Sequence, residues 1–140
     1  MRVMLIVRGN KDSEAGVLPD EKSLAAMAQY NEELVRAGVL LAADGLRPTK
    51  DGALARFTGG KVQIIDGPFS ESKEVVAGYW VIQVKSREEA LAWVKRVPFS
   101  EGGEIEIRPL YELSDFPQGD AVDHHARVQE AVEKQAAKRR

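Results

Sequence analysis

The stretch "VVAGYWVIQVK" (Val75–Lys85) is the clearest β-strand pattern in the sequence. Its side chains fall into two alternating sets, with Trp80, Ile82 and Val84 on one side and Tyr79, Val81 and Gln83 on the other. Successive side chains of a strand point to opposite faces of its sheet, so both faces of this strand carry apolar residues. The strand is therefore expected to need cover on both faces.

The stretch "RVMLIVRG" (Arg2–Gly9) shows the same two-sided pattern, with Val3, Leu5 and Val7 on one face and Met4 and Ile6 on the other. A further strand is expected over 39–46, and "GGEIEIRPLYEL" predicts a closing strand with Ile105 and Ile107 inward. The segment "ALARFTGGKVQII" predicts a hairpin, because Gly59-Gly60 can adopt the positive φ values of a tight turn.

Two helices accompany these strands. The first is expected from Asp20 to Ala37 and is ended by Gly38. Its predicted apolar stripe consists of Leu24, Met27, Leu34 and Val35, with Ala28 and Asn31 filling the gaps. The second is expected in "SREEALAWVKRV", where Ser86 and Glu89 have the spacing of a capping box. The segment "NKDSEAGVLP" between the first strand and the first helix is expected to be a polar loop.

The resulting order, β-α-β-(ββ)-β-α-β, predicts an α+β fold of the ferredoxin-like split βαβ type with an inserted β-hairpin. Two helices cover only one face of such a sheet. The other face carries Met4, Ile6, Tyr79 and Val81. An apolar sheet face of this size predicts a partner, and a two-fold homodimer covers both copies at once. The space between the two sheets is then a natural pocket.

The composition limits what the protein can be. A length of 140 residues favours one domain, expected over residues 1–115, followed by a C-terminal extension over 116–140 that combines a linker with a helix. The sequence has no cysteine, and its net charge of −2 gives no basic field for nucleic acid. No signal peptide or membrane span is expected, so the prediction is a cytoplasmic protein. No metal or cofactor is expected either.

The nine-residue stretch "DGPFSESKE" (Asp66–Glu74) resembles the signature of the DGPF-type proteins within the YCII-related family. The similarity extends over about residues 1–113, through "EELVRAGVLLAADGLRP", "EALAWVKRVP" and "GGEIEIRPLYE". This resemblance implies a ferredoxin-like chain that forms a dimeric α/β barrel. Some relatives are associated with a histidine–aspartate pair, but the only histidines here are His124 and His125 in the extension. A histidine base is therefore not expected.

Two interpretations of the DGPF stretch remain open. In the structural one, Asp66 accepts backbone N–H bonds across a turn that Pro68 constrains and Phe69 anchors by burial. In the functional one, Asp66 is desolvated beside Phe69 and acts as a catalytic base, while Lys73 and Glu74 line the mouth of a ligand site.

Three further residues are candidate ligand-binding positions. Asp44 is a second carboxylate at a strand end, with Arg47 near it in sequence. Arg8 and Arg108 share the face away from the helices, and as neighbours they would suit a carboxylate or phosphate ligand. The alternative is that they are surface arginines paired with Glu106 or Glu112.

Two functional hypotheses follow. The first is a small-molecule-binding protein or cofactor-independent enzyme with its pocket between the sheets of a homodimer. The alternative is a non-catalytic regulatory or interaction module that senses a small acidic ligand. The sequence leaves open whether the protein is an enzyme.

Overall fold

The computed structural model describes residues 1–69, 74–99 and 101–139. The chain divides into two compact units, Met1–Pro109 and Leu110–Arg140. The division falls a few residues before the boundary at 115 expected from the sequence. Along the described ranges, no helix is both long and apolar enough to cross a membrane.

The described residues of the first unit form a four-stranded sheet, a two-stranded sheet and three α-helices, with a 3-10 turn at Thr49–Asp51. The strands of the larger sheet are β1 (Arg2–Arg8), β2 (Leu40–Gly45), β5 (Val76–Gln83) and β6 (Ile105–Pro109). The smaller sheet pairs β3 (Ala53–Thr58) with β4 (Lys61–Asp66), and the helices are α1 (Lys11–Glu14), α2 (Glu21–Arg36) and α3 (Arg87–Val94).

The larger sheet has the strand order β2-β5-β1-β6, and all neighbouring strands are antiparallel. With the β3–β4 hairpin set aside, the second strand along the chain lies beside the third and the first lies beside the fourth. This is the order of a split βαβ unit. The α+β class predicted from the sequence is confirmed, and the strand order is compatible with a ferredoxin-like fold.

Both longer helices of the first unit begin at a side-chain cap, of which the sequence predicted the one at Ser86. The side chain of Asp20 accepts the backbone N–H of Ser23 at 2.8 Å, and Gly38 beyond the end of α2 has φ 71°. At α3 the Ser86 hydroxyl accepts the N–H of Glu89 as expected. The Glu89 carboxylate, however, accepts from the N–H of Lys85 rather than from that of Ser86. The predicted capping box is therefore only half formed.

The core lies between the larger sheet and the helices. Its most buried side chains are Val3, Leu5, Leu34 and Ile82. The face of β1 and β5 predicted to point inward is confirmed, because Val3, Leu5, Trp80, Ile82 and Val84 belong to one buried cluster. Ile105 and Ile107 of β6 also pack against this cluster, as expected.

The predicted stripe of α2 is wrong at both of its ends. Leu24 and Val35 are 54% and 62% exposed, whereas Tyr30, which the prediction left out, is only 3% exposed. Val35 follows Leu34 by a single residue and is therefore rotated by about 100° away from the buried line. Tyr30 lies one turn before Leu34 and fills the core with an edge-on contact to Trp80 at 5.7 Å.

Several boundaries also differ from the prediction. The loop "NKDSEAGVLP" contains the one-turn helix α1, because Asn10 and Ser13 cap each other reciprocally at its start. Strand β6 is shorter than expected and ends at Pro109, which has no N–H to donate to a ladder. The hairpin turn is confirmed, with φ 60° at Gly59 and 74° at Gly60.

The hairpin carries an apolar face. Ala55 pairs with Ile64 and Phe57 with Val62, so these four side chains share one side of the two-stranded sheet. Phe57 is 77% exposed, and Val62 and Ile64 are exposed as well. The sequence prediction recognised the hairpin but not this surface.

The second unit contains a short 3-10 turn (Leu113–Asp115) and the helix α4 (Asp120–Lys138). The predicted helix in the extension is confirmed, but it begins four residues before His124, within the segment expected to be a linker. Its Val128 and Val132 are exposed, and the rings of Tyr111 and Phe116 contact each other at 5.4 Å.

Ionisation of the buried Tyr30 is expected to lower the stability of the fold at alkaline pH. Its hydroxyl donates to the Trp93 carbonyl at 2.8 Å, and burial raises the pKa of Tyr30 to about 12. The unfolded chain releases this proton near the ordinary pKa of about 10. The contribution of Tyr30 to stability is therefore complete below pH 10 and is lost as pH rises towards 12.

We predict that Tyr30→Phe reduces the loss of stability between pH 10 and 12, although it lowers stability near neutral pH by about 1 kcal/mol through the lost hydrogen bond. Urea unfolding at several pH values measures both effects. Tyr111→Phe is the control, because Tyr111 is exposed. An alkaline slope that is the same in Tyr30→Phe as in the wild type would contradict the assignment.

Candidate functional site

The DGPF turn is packed against a neighbouring loop through its glycine. A Cβ atom added to Gly67 would lie 1.7 Å from the Thr49 carbonyl oxygen and 2.5 Å from the carbonyl carbon. The N–H of Gly67 donates to the carbonyl of Gly52 at 3.0 Å, and the N–H of Gly52 donates to that of Thr49 at 3.0 Å. Only glycine fits at this position, because the obstacle is backbone and not a movable side chain.

The loop that Gly67 contacts is itself fixed by Glu14. One carboxylate oxygen of Glu14 accepts the backbone N–H of Thr49 at 3.0 Å, and the other accepts the Thr49 hydroxyl at 2.6 Å. Thr49 is a buried polar residue, with 9% of its surface exposed. These contacts link α1, the loop after β2 and the end of β4 through Glu14, Thr49 and Gly67.

Asp66 does not have the surroundings that a desolvated base requires. It is exposed at the end of β4, opposite Ala53, while Phe69 is half-buried. Within the ranges that the structure describes, no hydrogen bond or ion pair is found for its carboxylate. The expected backbone bonds across the turn and the expected desolvation beside Phe69 are both absent there, so the contact of Gly67 supports the structural interpretation of the turn.

The other two candidate site residues of the stretch have different outcomes. Lys73, like Ser70, lies outside the described residues. Glu74 is exposed and lines a cavity of about 430 Å³ together with Phe69 and Arg47. Arg47 forms its ion pair with Asp51 at 3.2 Å and not with Asp44.

The two candidate arginines are not neighbours. Arg108 is paired with Met4, four residues back along β1 from Arg8. At about 3.4 Å per residue, this places their backbones roughly 13 Å apart. The two arginines are thus not adjacent in the sheet, and a ligand shared between them stays a prediction. Arg108 lies 3.8 Å from Glu106 on the surface, which is the alternative interpretation, while Arg8 lines the largest cavity described below.

Asp44 is bound to a tyrosine across the sheet. It is paired with Tyr79 in the β2–β5 ladder, and the Tyr79 hydroxyl donates to its carboxylate at 3.1 Å. This hydrogen bond raises the pKa of Tyr79. Asp44 lines a cavity that Asp66 does not reach, so the two carboxylates are not brought to one site.

Two adjoining cavities lie on the helix-covered side of the sheet, at the end where β1 finishes and β5 begins. Their volumes are about 720 and 520 Å³. They share five lining residues, namely Val7, Pro19, Met27, Ala77 and Phe99. We call them the outer and the inner cavity. Ala77 lies where the β1–β5 register shifts, and a bulge of this kind often re-aims side chains beside functional sites.

The inner cavity has a largely apolar lining that includes the side-chain amide of Asn31. The indole Nε1–H of Trp80 donates to Oδ1 of Asn31 at 2.7 Å. The Trp80 ring is held by edge-on contact with Tyr30 and by a tilted contact with Phe99 at 6.2 Å. Apart from Asp44 at its edge, the inner cavity is lined by no charged residue among those described.

The outer cavity carries charges of both signs around its mouth. Arg8 and Lys11 supply positive charge, and Asp12, Glu101 and Glu104 supply negative charge. Leu24, which the sequence prediction placed in the core, lines this cavity. Of the predicted site residues, the two cavities therefore include Arg8 and Asp44 but not Asp66, Glu74 or Arg108.

Comparison with known proteins places the chain in a family. A family model described as the YCII-related domain matches residues 1–114. The chain belongs to the YCII-related family. An uncharacterized protein of Rhizobium meliloti (strain 1021) is 31% identical over 102 residues, which are 70% of this chain and 82% of that protein. The YCII-related match includes the DGPF turn, both cavities and the start of the second unit.

The contact between Gly67 and Thr49 gives a direct test of the structural role. We predict that Gly67→Ala lowers the free energy of unfolding by about 1–3 kcal/mol or more, since the added methyl group meets rigid backbone. Chemical denaturation measures the change. Gly45→Ala is the matched control, because an added Cβ there meets nothing within 4 Å. Equal stability of the two variants would show that the close approach at Gly67 does not constrain the turn.

Proposed function

We propose that this protein binds a small molecule in the combined inner and outer cavity. The observation that carries the proposal is the shared lining of two cavities at one end of the sheet, apolar within and charged at the mouth. Small-molecule sites typically have this form, with few polar groups on a concave apolar surface. This location differs from the pocket between two sheets expected from the sequence, which requires a second copy of the chain and remains a prediction.

The inner cavity favours binding over catalysis. The amide of Asn31 and the indole of Trp80 line it, and neither group exchanges a proton near neutral pH. Asp44 contributes to the lining, but its carboxylate accepts a hydrogen bond from Tyr79, which lies on the open face of the sheet. A ligand-sensing role is therefore the better supported of the two hypotheses, and a turnover assay on any ligand found separates sensing from enzymatic activity.

The assembly that we propose is a homodimer of ferredoxin-like chains, with the open faces of two larger sheets packed together as in a dimeric α/β barrel. Met4, Ile6, Tyr79 and Val81 occupy that face, and none of them belongs to the core cluster or packs against it. Each is only half-buried in the single chain. A second copy of the chain, related by a two-fold axis, would bury this face on both protomers in one interface.

The ligand site is tested by narrowing the cavity from α2. We predict that Leu24→Trp weakens ligand binding at least tenfold, because Leu24 lines the outer cavity and an indole there occupies its volume. Val35→Trp is the matched control on the same helix, since Val35 is similarly exposed and lines neither cavity.

A thermal-shift screen of a metabolite library against the wild type identifies the ligand, and calorimetry on both variants measures affinity. Equal affinity in the wild type and in Leu24→Trp would remove the cavity as the site. A ligand whose binding depends instead on Val81, on the open sheet face, would support the pocket between the sheets.

The dimer is tested by placing a charge on the open sheet face. We predict that the wild type is a dimer at micromolar concentration and that Val81→Lys is a folded monomer, because Val81 lies between Met4 and Ala42 in the sheet. Gln83→Lys is the control on the same face of β5, where the residue is already polar. Light scattering coupled to gel filtration measures the mass.

A monomeric wild type would contradict the dimer. If Val81→Lys stays dimeric while Phe57→Lys becomes monomeric, the hairpin and not the open sheet face forms the interface.

A further inference from the structure

The amide of Asn31 has a fixed orientation within the inner cavity. An indole N–H can only donate a hydrogen bond, so the atom of Asn31 that faces Trp80 at 2.7 Å is the oxygen. The Nδ2 amino group therefore points away from the indole. The orientation of the amide is fixed at two points. Its oxygen is held by the indole of Trp80, which is only 4% exposed, and its backbone is part of α2.

The Nδ2 amino group has hydrogen atoms to donate. In the part of the chain that the structure describes, the bond to Trp80 is the only hydrogen bond of the Asn31 side chain. No buried side-chain nitrogen or oxygen atom there lacks a partner. Since Nδ2 has none, it lies in accessible space, and Asn31 lines the inner cavity.

The rest of the inner cavity selects against an ionised ligand group. Its lining is largely apolar, with Val7, Met27, Ala43, Ala77, Trp80 and Phe99 among its residues. No lysine or arginine of the described chain lines it. A carboxylate placed there would lose its hydration without gaining a cation, which is costly. A neutral acceptor oxygen has a much smaller cost and gains the hydrogen bond.

We propose that Asn31 determines ligand specificity by donating a hydrogen bond from Nδ2 to a neutral carbonyl oxygen of a mainly apolar ligand, such as a ketone, ester or lactone. Trp80 is the positioning residue, because its indole N–H holds the amide oxygen and so directs the donor into the cavity. The proposal rests on the proposed binding function. It replaces the acidic ligand expected from the sequence with a neutral one at the inner end of the site.

The orientation of the amide also gives it an energetic advantage. A free amide would lose rotational freedom when it binds a ligand, whereas Asn31 is already held by Trp80. A ligand without an acceptor leaves the donor without a partner in a partly dry site. Discrimination between two ligands of one shape should therefore be about 3- to 10-fold, as expected for one neutral hydrogen bond of about 0.5–1.5 kcal/mol.

The test uses three probes of similar size that differ in one group: acetophenone carries a carbonyl oxygen, ethylbenzene has no acceptor, and benzoate is an anion. Their affinities for the full chain are measured by NMR titration. For the wild type we expect acetophenone to bind about 3- to 10-fold more tightly than ethylbenzene, and benzoate to bind no more tightly than acetophenone.

Two variants examine the donor and its support. Asn31→Asp keeps the acceptor for the Trp80 indole but replaces the donor with an oxygen. We expect it to remove the preference for acetophenone over ethylbenzene, because the hydrogen-bond donor is lost. Trp80→Phe keeps an aromatic ring but removes the indole N–H, and we expect it to reduce the same preference by freeing the amide.

The outcomes separate this inference from the proposed function. If acetophenone and ethylbenzene bind the wild type equally, or if both variants keep the preference, the role of Asn31 is wrong although the cavity still binds ligands. If none of the three probes shifts a signal from a cavity residue, the binding function itself is contradicted. Loss of the preference in either folded variant supports the inference.

Discussion

The hydrogen bond from the Trp80 indole to the Asn31 side chain joins the larger sheet of the first unit to helix α2. Trp80 comes from the buried face of β5, and Asn31 comes from the side of α2 that faces the sheet. The same indole makes an edge-on contact with Tyr30, whose hydroxyl donates to the carbonyl of Trp93 in the last turn of α3. One aromatic cluster therefore sets the separation between helix and sheet, and the cavities lie beside it, at the end of the sheet where the cluster stops.

The DGPF turn is connected to that end of the sheet through the loop that contains Thr49. Gly67 packs against the backbone at Thr49, and Glu14 holds Thr49 by two hydrogen bonds. Pro19, a few residues after Glu14, and Gly45, a few residues before Thr49, both line the inner cavity. The contacts of the turn with these segments are made by Gly67 and not by the carboxylate of Asp66.

The sequence predicts those parts of the structure that depend on local signals. The strand pattern at Trp80 and Ile82, the cap at Ser86 and the glycine turn at 59–60 are set by residues a few positions apart, and each is found as expected. The strand order also follows, because few arrangements satisfy two helices and four apolar strands. The stripe of α2 was predicted with its ends in error, since spacing alone does not tell whether Leu24 faces core or cavity.

The site depends on contacts between distant residues, which no local pattern records. The need for glycine at position 67 arises from Thr49, 18 residues earlier, and becomes visible only when the two backbones meet. Asn31 was placed in the apolar stripe of α2 as a filler. A single amide within such a stripe was the available signal, because a buried polar group needs a partner, but the sequence did not identify Trp80 as that partner.

The most direct test of the central claim, that a ligand occupies the inner cavity, is the NMR signal of the Trp80 indole N–H. The chain has two tryptophans, so a ¹⁵N-labelled sample gives two indole signals, and Trp93→Phe assigns them. Trp80 lines the inner cavity and Trp93 lines neither cavity. A ligand in the inner cavity shifts the Trp80 signal in a saturable manner and leaves that of Trp93 nearly unchanged. Saturable binding that leaves the Trp80 signal in place would contradict the site.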